Sequence, residues 1–411
     1  MNILSIAPTS FFNDYGCHVR ILEEARALQS LGHHVTVLAY SKGNDVPGVH
    51  IIRTRPTPWR SNYEVGSSRH KLAFDVLLSL KLLQTLARQR FDVIHAHLHE
   101  GALIGSVLSR PWGVPVVFDY QGSLSDEMVQ HRFLKAGTAA HRFFAWLERR
   151  IERLPDVIIT STYHAAEKLQ SRIGKHLPVR PLPDILNTAV FHPQVLSPQE
   201  RLAWRARFGI PAEATVAVFV GLLAAHQGVG DLIQAAARLR ETHPSLRWLV
   251  IGYPGVELWR KLAAAHGVGE VIIFPGRAPY AELPKWLAVG DIAVVPKYSL
   301  SEGSHKTLIY MAMGLPTVAY DTPAQREILG PLGLYAPLGD VATFAHRVVE
   351  LVTDPTRRRV LSAQLRTVAE RDHSRRRVAE ELEAIYALAQ MRRRIAPDAP
   401  VVRSVEKARR W

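Results

Sequence analysis

The sequence predicts an α/β protein made of two Rossmann-like halves, and three observations carry that expectation. At 411 residues the chain exceeds what one hydrophobic core usually organises, so it fits two domains of about 150 to 200 residues. Short β-branched runs alternate with longer segments of helical period, the pattern of parallel sheets covered by helices. Around 181–198 the alternation breaks into prolines and polar residues (Pro181, Pro183, Asn187, His192, Pro193, Pro198), as a linker would.

In the first half, strands are expected at 2–7, 34–39, 49–53, 92–96, 115–119 and 156–161. The first runs into a polar loop with Gly16 and then an amphipathic helix that stops at Leu31-Gly32, since glycine readily takes the left-handed conformation that ends helices. That opening is Rossmann-like but lacks the full dinucleotide fingerprint. In the second half the strand signal recurs at 215–221, 246–252, 270–274, 291–296 and 317–320, with helical patterns between. From Val341 the chain is mostly helical. The expected division is therefore 1–190 and 191–373 for the two domains, a C-terminal helix at 374–391, and a disordered basic tail at 392–411.

Composition narrows the classes. A hydrophobic fraction of 47% with 21% charged residues excludes wholesale disorder and fibrous repeats. Lysine and arginine outnumber aspartate and glutamate 51 to 37, a net charge of +14, which suits polyanionic partners: nucleic acid, anionic lipid or sugar phosphates. The single cysteine, Cys17, leaves no intrachain disulfide and no cysteine-based zinc site, and fits a reducing compartment. No apolar run reaches the roughly eighteen residues of a membrane span, and Met1–Pro8 lacks the features of a signal segment. A cytoplasmic protein is expected.

Several strings acquire meaning together: Gly16-Cys17-His18-Val19 before the first helix, LGHHVTVLAY, DVIHAHLHEGALIG, LNTAVFHP, FVGLLAAHQGVGDLIQAA and SEGSHKTLIYMAMGLPTVAYD. In their order and spacing the chain resembles the family-4 glycosyltransferases of GT-B fold over about 1–390. The resemblance implies two Rossmann-like domains facing across a cleft, a nucleotide-sugar donor held mainly by the C-terminal domain, a hydroxyl acceptor on the N-terminal one, and no metal or other cofactor. Independently, ligands of open parallel sheets bind beyond the carboxyl ends of the strands.

Near the end of the strand at 92–96 stand His95, His97, His99 and Glu100. Alternation puts His95 and His97 on one face, with His97 at the strand exit. The resemblance implies that His97 contacts the donor sugar near the reacting carbon; a polar loop bonding backbone carbonyls is the alternative. His95 reads as structural and His99 as undecided. The resemblance also implies that Glu302 bonds donor-sugar hydroxyls and that Gly303, Ser304 and the following helix start touch diphosphate, as unpaired N–H groups at a helix N-terminus favour anions. An acidic residue near a helix start would also suit any protein. Gly16, Gly221, Gly228 and Arg277 complete the expected donor set.

Departures from the family pattern matter. The glutamate that usually grips the ribose is Ile309 here. The arginine and lysine of the G-R-L-x-x-x-K-G pattern, which neutralise the leaving diphosphate, correspond to Leu222 and Gln227. Lys306, in the first turn of the helix after Ser304, is the expected substitute, since a cation there opposes the helix dipole and serves stability poorly. His226, His305 and Arg277 are secondary. On the acceptor side, Asp119 and Gln121 orient a hydroxyl or simply form a polar loop.

At helical period, Lys135, Arg142, Trp146, Arg149 and Arg153 share one face of 131–153, with Phe133, Ala140, Phe144, Leu147 and Ile151 opposite. Such a stripe marks either a solvated face or contact with an anionic membrane, which would make the protein peripheral at the inner membrane face. No nucleic-acid motif accompanies the charge, so nucleic acid is not an expected partner. The sequence thus reads as a retaining glycosyltransferase with a glycolipid or envelope glycan as acceptor. A non-catalytic GT-B-like binding protein is the alternative, on the strength of the missing cations.

Overall fold

The computed structural model describes residues 1–13, 16–56, 71–130, 133–299 and 304–395. It contains two compact units, one of residues 1–183 with 375 onward and one of residues 184–374. The boundary expected at 190/191 falls instead between Pro183 and Asp184, and the last helix, Arg375–Ile395, belongs to the first unit.

In the first unit β1 (Asn2–Ala7), β2 (His34–Ala39), β3 (His50–Arg53), β4 (Val93–His97), β5 (Val116–Tyr120), β6 (Val157–Thr160) and β7 (Val179–Pro181) form one parallel sheet, ordered β3-β2-β1-β4-β5-β6-β7. Its central strands are buried on both faces, which is why they read as continuous apolar runs without polar alternation. Leu4, Ile6, Ile94 and Val116 pack on Phe74, Leu78, Leu82 and Leu86 of the helix Lys71–Arg88. Phe118 and Ile158 pack with Leu169 and Ile173 of the helix Tyr163–Ile173, whose start is capped by Thr162.

The second unit repeats the plan with β8 (Thr215–Leu222), β9 (Leu246–Tyr253), β10 (Ile272–Gly276), β11 (Ile292–Val295), β12 (Thr317–Tyr320) and β13 (Leu334–Ala336), ordered β10-β9-β8-β11-β12-β13. Successive residues feed opposite faces. Ala217 and Phe219 pack toward the helices Val229–Leu239 and Val341–Thr353, whereas Val216 and Val218 pack toward His305–Ala312 and Pro355–Asp372. The edge strands β7 and β13 are not foreseen in the sequence, because three residues are too few to show a period.

Two local expectations are corrected. The basic tail expected from 392 is helical through Ile395, where the Arg392 guanidinium donates to the carbonyls of Asp156 at 2.9 Å and His176 at 2.8 Å. Residues 396–411 lie outside the described residues. The stripe expected along 131–153 does not ride one helix: the helix is Ala139–Ile151, entered through Gly137 at φ 79° and capped by the Thr138 side chain. Phe133 and Lys135 therefore precede it.

Candidate functional site

Both sheets reverse their order beside their first strand, at β1/β4 and β8/β11, and such switch points are where open parallel sheets bind ligands. In the first unit β4 ends at His97 and the helix Leu98–Leu108 begins at once, with Leu98 held at φ 60°. A left-handed non-glycine residue costs about 1–2 kcal/mol, so this corner is maintained by its surroundings.

Those surroundings are a buried polar network. Cross-strand register sets His97 opposite Asp119, and the imidazole Nδ1–H donates to Asp119 Oδ2 at 2.9 Å while Nε2 meets the Ser5 hydroxyl at 3.0 Å. Asp119 also receives the Arg20 guanidinium at 3.0 Å and the Gln121 amide at 2.7 Å. Burial would raise its pKa, but the Arg20 charge and then His97 outweigh it and hold the carboxylate far below its usual range. His95 stacks on His97 at 4.4 Å, and its Nδ1 accepts from the Tyr386 hydroxyl at 2.8 Å. Burial, then His97, keeps His95 well below the ordinary histidine pKa and hence neutral.

This corrects the expectation that His97 lies open to ligand. It is 1% exposed, with both ring nitrogens engaged. Ser5, His97 and Asp119 repeat the bonding order of a catalytic triad, but Ser5 sits buried in the middle of β1 and offers no accessible nucleophile. Asp119 likewise belongs to a strand and a buried ion pair rather than a polar loop. Glu24, His95, His97 and Asp119 are close enough together to suggest a metal cluster. Arg20, 3.2 Å from Glu24 and 3.0 Å from Asp119, already supplies the positive charge there.

Near the strand ends of this unit, Tyr40 donates to Asp75 at 2.6 Å and Lys71 to Glu100 at 2.5 Å. Burial, then Glu100, pushes Asp75 up to about 7. Gly16 opens the first helix, and a Cβ there would meet nothing. Next to it, burial and then Glu127 push the Cys17 thiol up to about 12, which makes it a poor nucleophile.

The second switch point gathers most of the expected donor residues. After β8 a short turn, Ala225–Gln227, leads to Gly228 at φ 75°, where a Cβ would fall 2.0 Å from the Pro296 carbonyl oxygen; only glycine fits. Gly228 begins the helix Val229–Leu239 without a side-chain cap, and Ser304 begins His305–Ala312 without one, its hydroxyl accepting instead from Thr307 at 2.8 Å. Between them lies Lys306. Its ammonium donates to Gln227 Oε1 at 2.8 Å and stands 4.2 Å above the Phe219 ring, and a Cβ on Gly221 would fall 2.8 Å from Nζ. Burial, then the neighbouring Lys297, holds Lys306 well below the ordinary lysine pKa.

The ammonium thus reaches the side chain of position 227 from the neighbouring helix. Lys297, buried and just past β11, has no counterpart in the expectations from sequence, which offers no signal for it beyond a lysine after a strand. Arg277 lies over the Tyr253 ring at 5.0 Å, at the end of β9 beside Leu222. His305 turns toward Asp184 at 3.7 Å, and the His226 carbonyl accepts from Tyr298 N–H. Glu302 and Gly303 lie outside the described residues.

On the helix Ala139–Ile151, Phe143 (54% exposed) and Trp146 (47%) stack at 6.0 Å beside exposed Arg142, Arg149 and Arg150, with Arg150 over the Trp146 ring. Phe143 and Arg150 are missed in the sequence because each neighbours a residue of the opposite assigned face. No helix among the described residues is long and apolar enough to cross a membrane.

Known proteins are similar to this chain in sequence and fold. Residues 15–184 match the family described as glycosyl transferase 4-like domain, and residues 214–354 match glycosyl transferases group 1. A D-inositol 3-phosphate glycosyltransferase of Thermobispora bispora is 27% identical over 371 residues, covering 85% of this chain and 84% of that protein. Among solved structures, sucrose-phosphate synthase of Thermosynechococcus elongatus superposes with a TM-score of 0.78 at 19% identity, covering 94% of this chain and 98% of that one. Anabaena HepE, solved with UDP and glucose, gives 0.75 at 15% identity, covering 94% and 99%.

Proposed function

Starting from a chain that belongs to the family-4-like glycosyltransferases of GT-B fold, we propose that it is a retaining enzyme. It moves a sugar from a nucleotide-sugar donor to a hydroxyl of a glycolipid or envelope glycan, with no metal in the transfer step. The observation that carries this reading is the Lys306 ammonium seated at Gln227, between two uncapped helix starts. Those starts offer N–H groups to a diphosphate, and Gly228 lets the backbone approach it closely.

In this reading the bond from the anomeric carbon to the diphosphate oxygen breaks as the acceptor oxygen bonds that carbon on the same face. The acceptor proton passes to the departing phosphate. Negative charge then grows on the diphosphate, and Lys306, assisted by Lys297, answers it in place of the missing arginine and lysine. Gly16, Gly221, Arg277, Gly303 and Ser304 line the donor in the same proposal, and Glu302 orients its sugar. His97 becomes a positioning residue: its bonds to Ser5 and Asp119 brace the Leu98 corner, and Gln121 stands beside them to meet the acceptor.

The basic aromatic face of Ala139–Ile151 supports contact with an anionic membrane surface, where aromatic rings enter the headgroup boundary and arginines meet phosphate. The test of the catalytic reading is Lys306→Met, expected to lower kcat about 100-fold with the melting temperature unchanged or raised. The exchange Gln227→Lys with Lys306→Gln should recover most of the loss, because the two side chains already touch. Unchanged turnover in Lys306→Met would remove Lys306 from the mechanism.

A further inference from the structure

A second carboxylate–histidine group lies in the first unit, apart from the His97 network: His99 on the first turn of Leu98–Leu108, with Glu148 and Glu152 at the end of Ala139–Ile151. The two glutamates are four residues apart and so share a helix face. His99 Nε2 stands 3.9 Å from Glu148 Oε1 and 4.0 Å from Glu152 Oε1, too far for hydrogen bonds. All three residues are at least nine-tenths buried, and His99 Nε2, Glu148 Oε1 and Glu152 Oε2 have no hydrogen-bond partner. Buried polar atoms are almost always satisfied, so three neighbouring side chains that each keep one orphan atom ask for a common partner.

We infer that His99, Glu148 and Glu152 form a binding site for a zinc-class divalent cation that ties the basic aromatic helix to the helix start next to His97. An imidazole with two carboxylates suits zinc better than calcium or magnesium, which take oxygen alone. Metal bonds of about 2.0–2.2 Å require the ligand atoms to close by roughly half an ångström, within reach of rotations about glutamate side-chain bonds. Charge fits as well: a dication balances two carboxylates around a neutral imidazole. Arg172 now pairs with Glu152 and stands 3.9 Å from Glu148 Oε1, so the cation must displace it; at 37% exposed its side chain can turn to solvent.

The outer contacts are those of a built site. The remaining Glu148 oxygen, Oε2, receives the Ser125 N–H at 3.1 Å and the Ser125 hydroxyl at 2.7 Å, which fix the carboxylate and leave Oε1 aimed at His99. The His99 ring is held edge-to-face by Phe118 at 5.1 Å and Tyr120 at 5.4 Å. The Glu24–His95–His97–Asp119 group differs in that its arginine, Arg20, is only 5% exposed and cannot turn away, and both His97 nitrogens are bonded, which leaves a cation neither charge nor ligands.

The full chain, without affinity tag and stripped by chelator, is titrated with Co²⁺ and Zn²⁺. Uptake of one equivalent is expected, with visible Co²⁺ bands of a four- or five-coordinate site and a melting temperature raised by about 5 °C at a hundredfold excess of Zn²⁺ over Kd. His99→Gln and Glu152→Gln should each abolish the bands and the thermal shift. Absence of cobalt uptake by the unmodified chain up to about 1 mM overturns the site, since that is weaker than any specific transition-metal centre. Equal uptake by the unmodified chain and either folded variant overturns it too, because the ion would then reside elsewhere.

Discussion

Arg20 and Asp119 form an ion pair that leaves neither charge a route to water, and such pairs behave asymmetrically on mutation. Asp119→Ala leaves the buried Arg20 guanidinium with Glu24 as its remaining carboxylate and the His97 Nδ1–H without its acceptor, and should cost about 3 kcal/mol of stability, read as a falling denaturant midpoint with unchanged slope. A loss under about 1 kcal/mol would mean that Asp119 is a solvated loop residue, as its sequence context alone allows. Asp75 gives a pH-dependent counterpart. Its folded pKa, pushed up to about 7 by burial and Glu100, exceeds the ordinary 3.8, so folding stability is lost as pH rises from about 4 through 7. Asp75→Asn keeps an acceptor for Tyr40 and should gain in melting temperature over the unmodified chain at pH 8 but not at pH 4; equal differences at both would contradict the shift. At this scale Lys306 is legible in the sequence, because a cation in the first turn of a helix is out of place. Arg20 is not: its partner lies 99 residues away, and such pairings leave no periodic trace.

Elements are legible where they are long and regular. β1, β2 and β12 appear in the sequence at the limits they have in the structure, since each is an apolar run bounded by turn residues. The helix Ala139–Ile151 is only half legible: its period is plain, while its start depends on Thr138 and the left-handed Gly137, which a 100° projection ignores. Its exposed Phe143, Trp146 and arginines lead to a specific expectation. Charge reversal of Arg142, Arg149 and Arg150 should abolish co-sedimentation with anionic vesicles, and binding by the unmodified chain should weaken from 50 to 500 mM salt, as the Debye length shrinks well below about 10 Å. Binding insensitive to both would make the stripe a solvated face.

Over the whole molecule, the two-unit plan follows from length and alternation, whereas the return of the last helix to the first unit does not. Tyr386 and Leu382 are buried in that unit, Tyr386 bonds His95, and Arg375 pairs with Glu23 at 2.6 Å. Cutting the chain after Ser374 should therefore unfold residues 1–183, seen as loss of soluble protein or of its thermal transition, although the cut lies almost two hundred residues from that unit's sheet in sequence. In the proposed reaction Lys306 stands in for absent diphosphate cations. Its pKa, held down by burial and then Lys297, should rise when a diphosphate brings negative charge beside it. The most direct test is calorimetric titration with nucleoside diphosphates in two buffers of different ionisation enthalpy near pH 8. Binding accompanied by proton uptake in the unmodified chain, and lost or much weakened without uptake in Lys306→Met, is the expected result; equal affinity in both proteins, or no nucleotide binding by the unmodified chain, would contradict it.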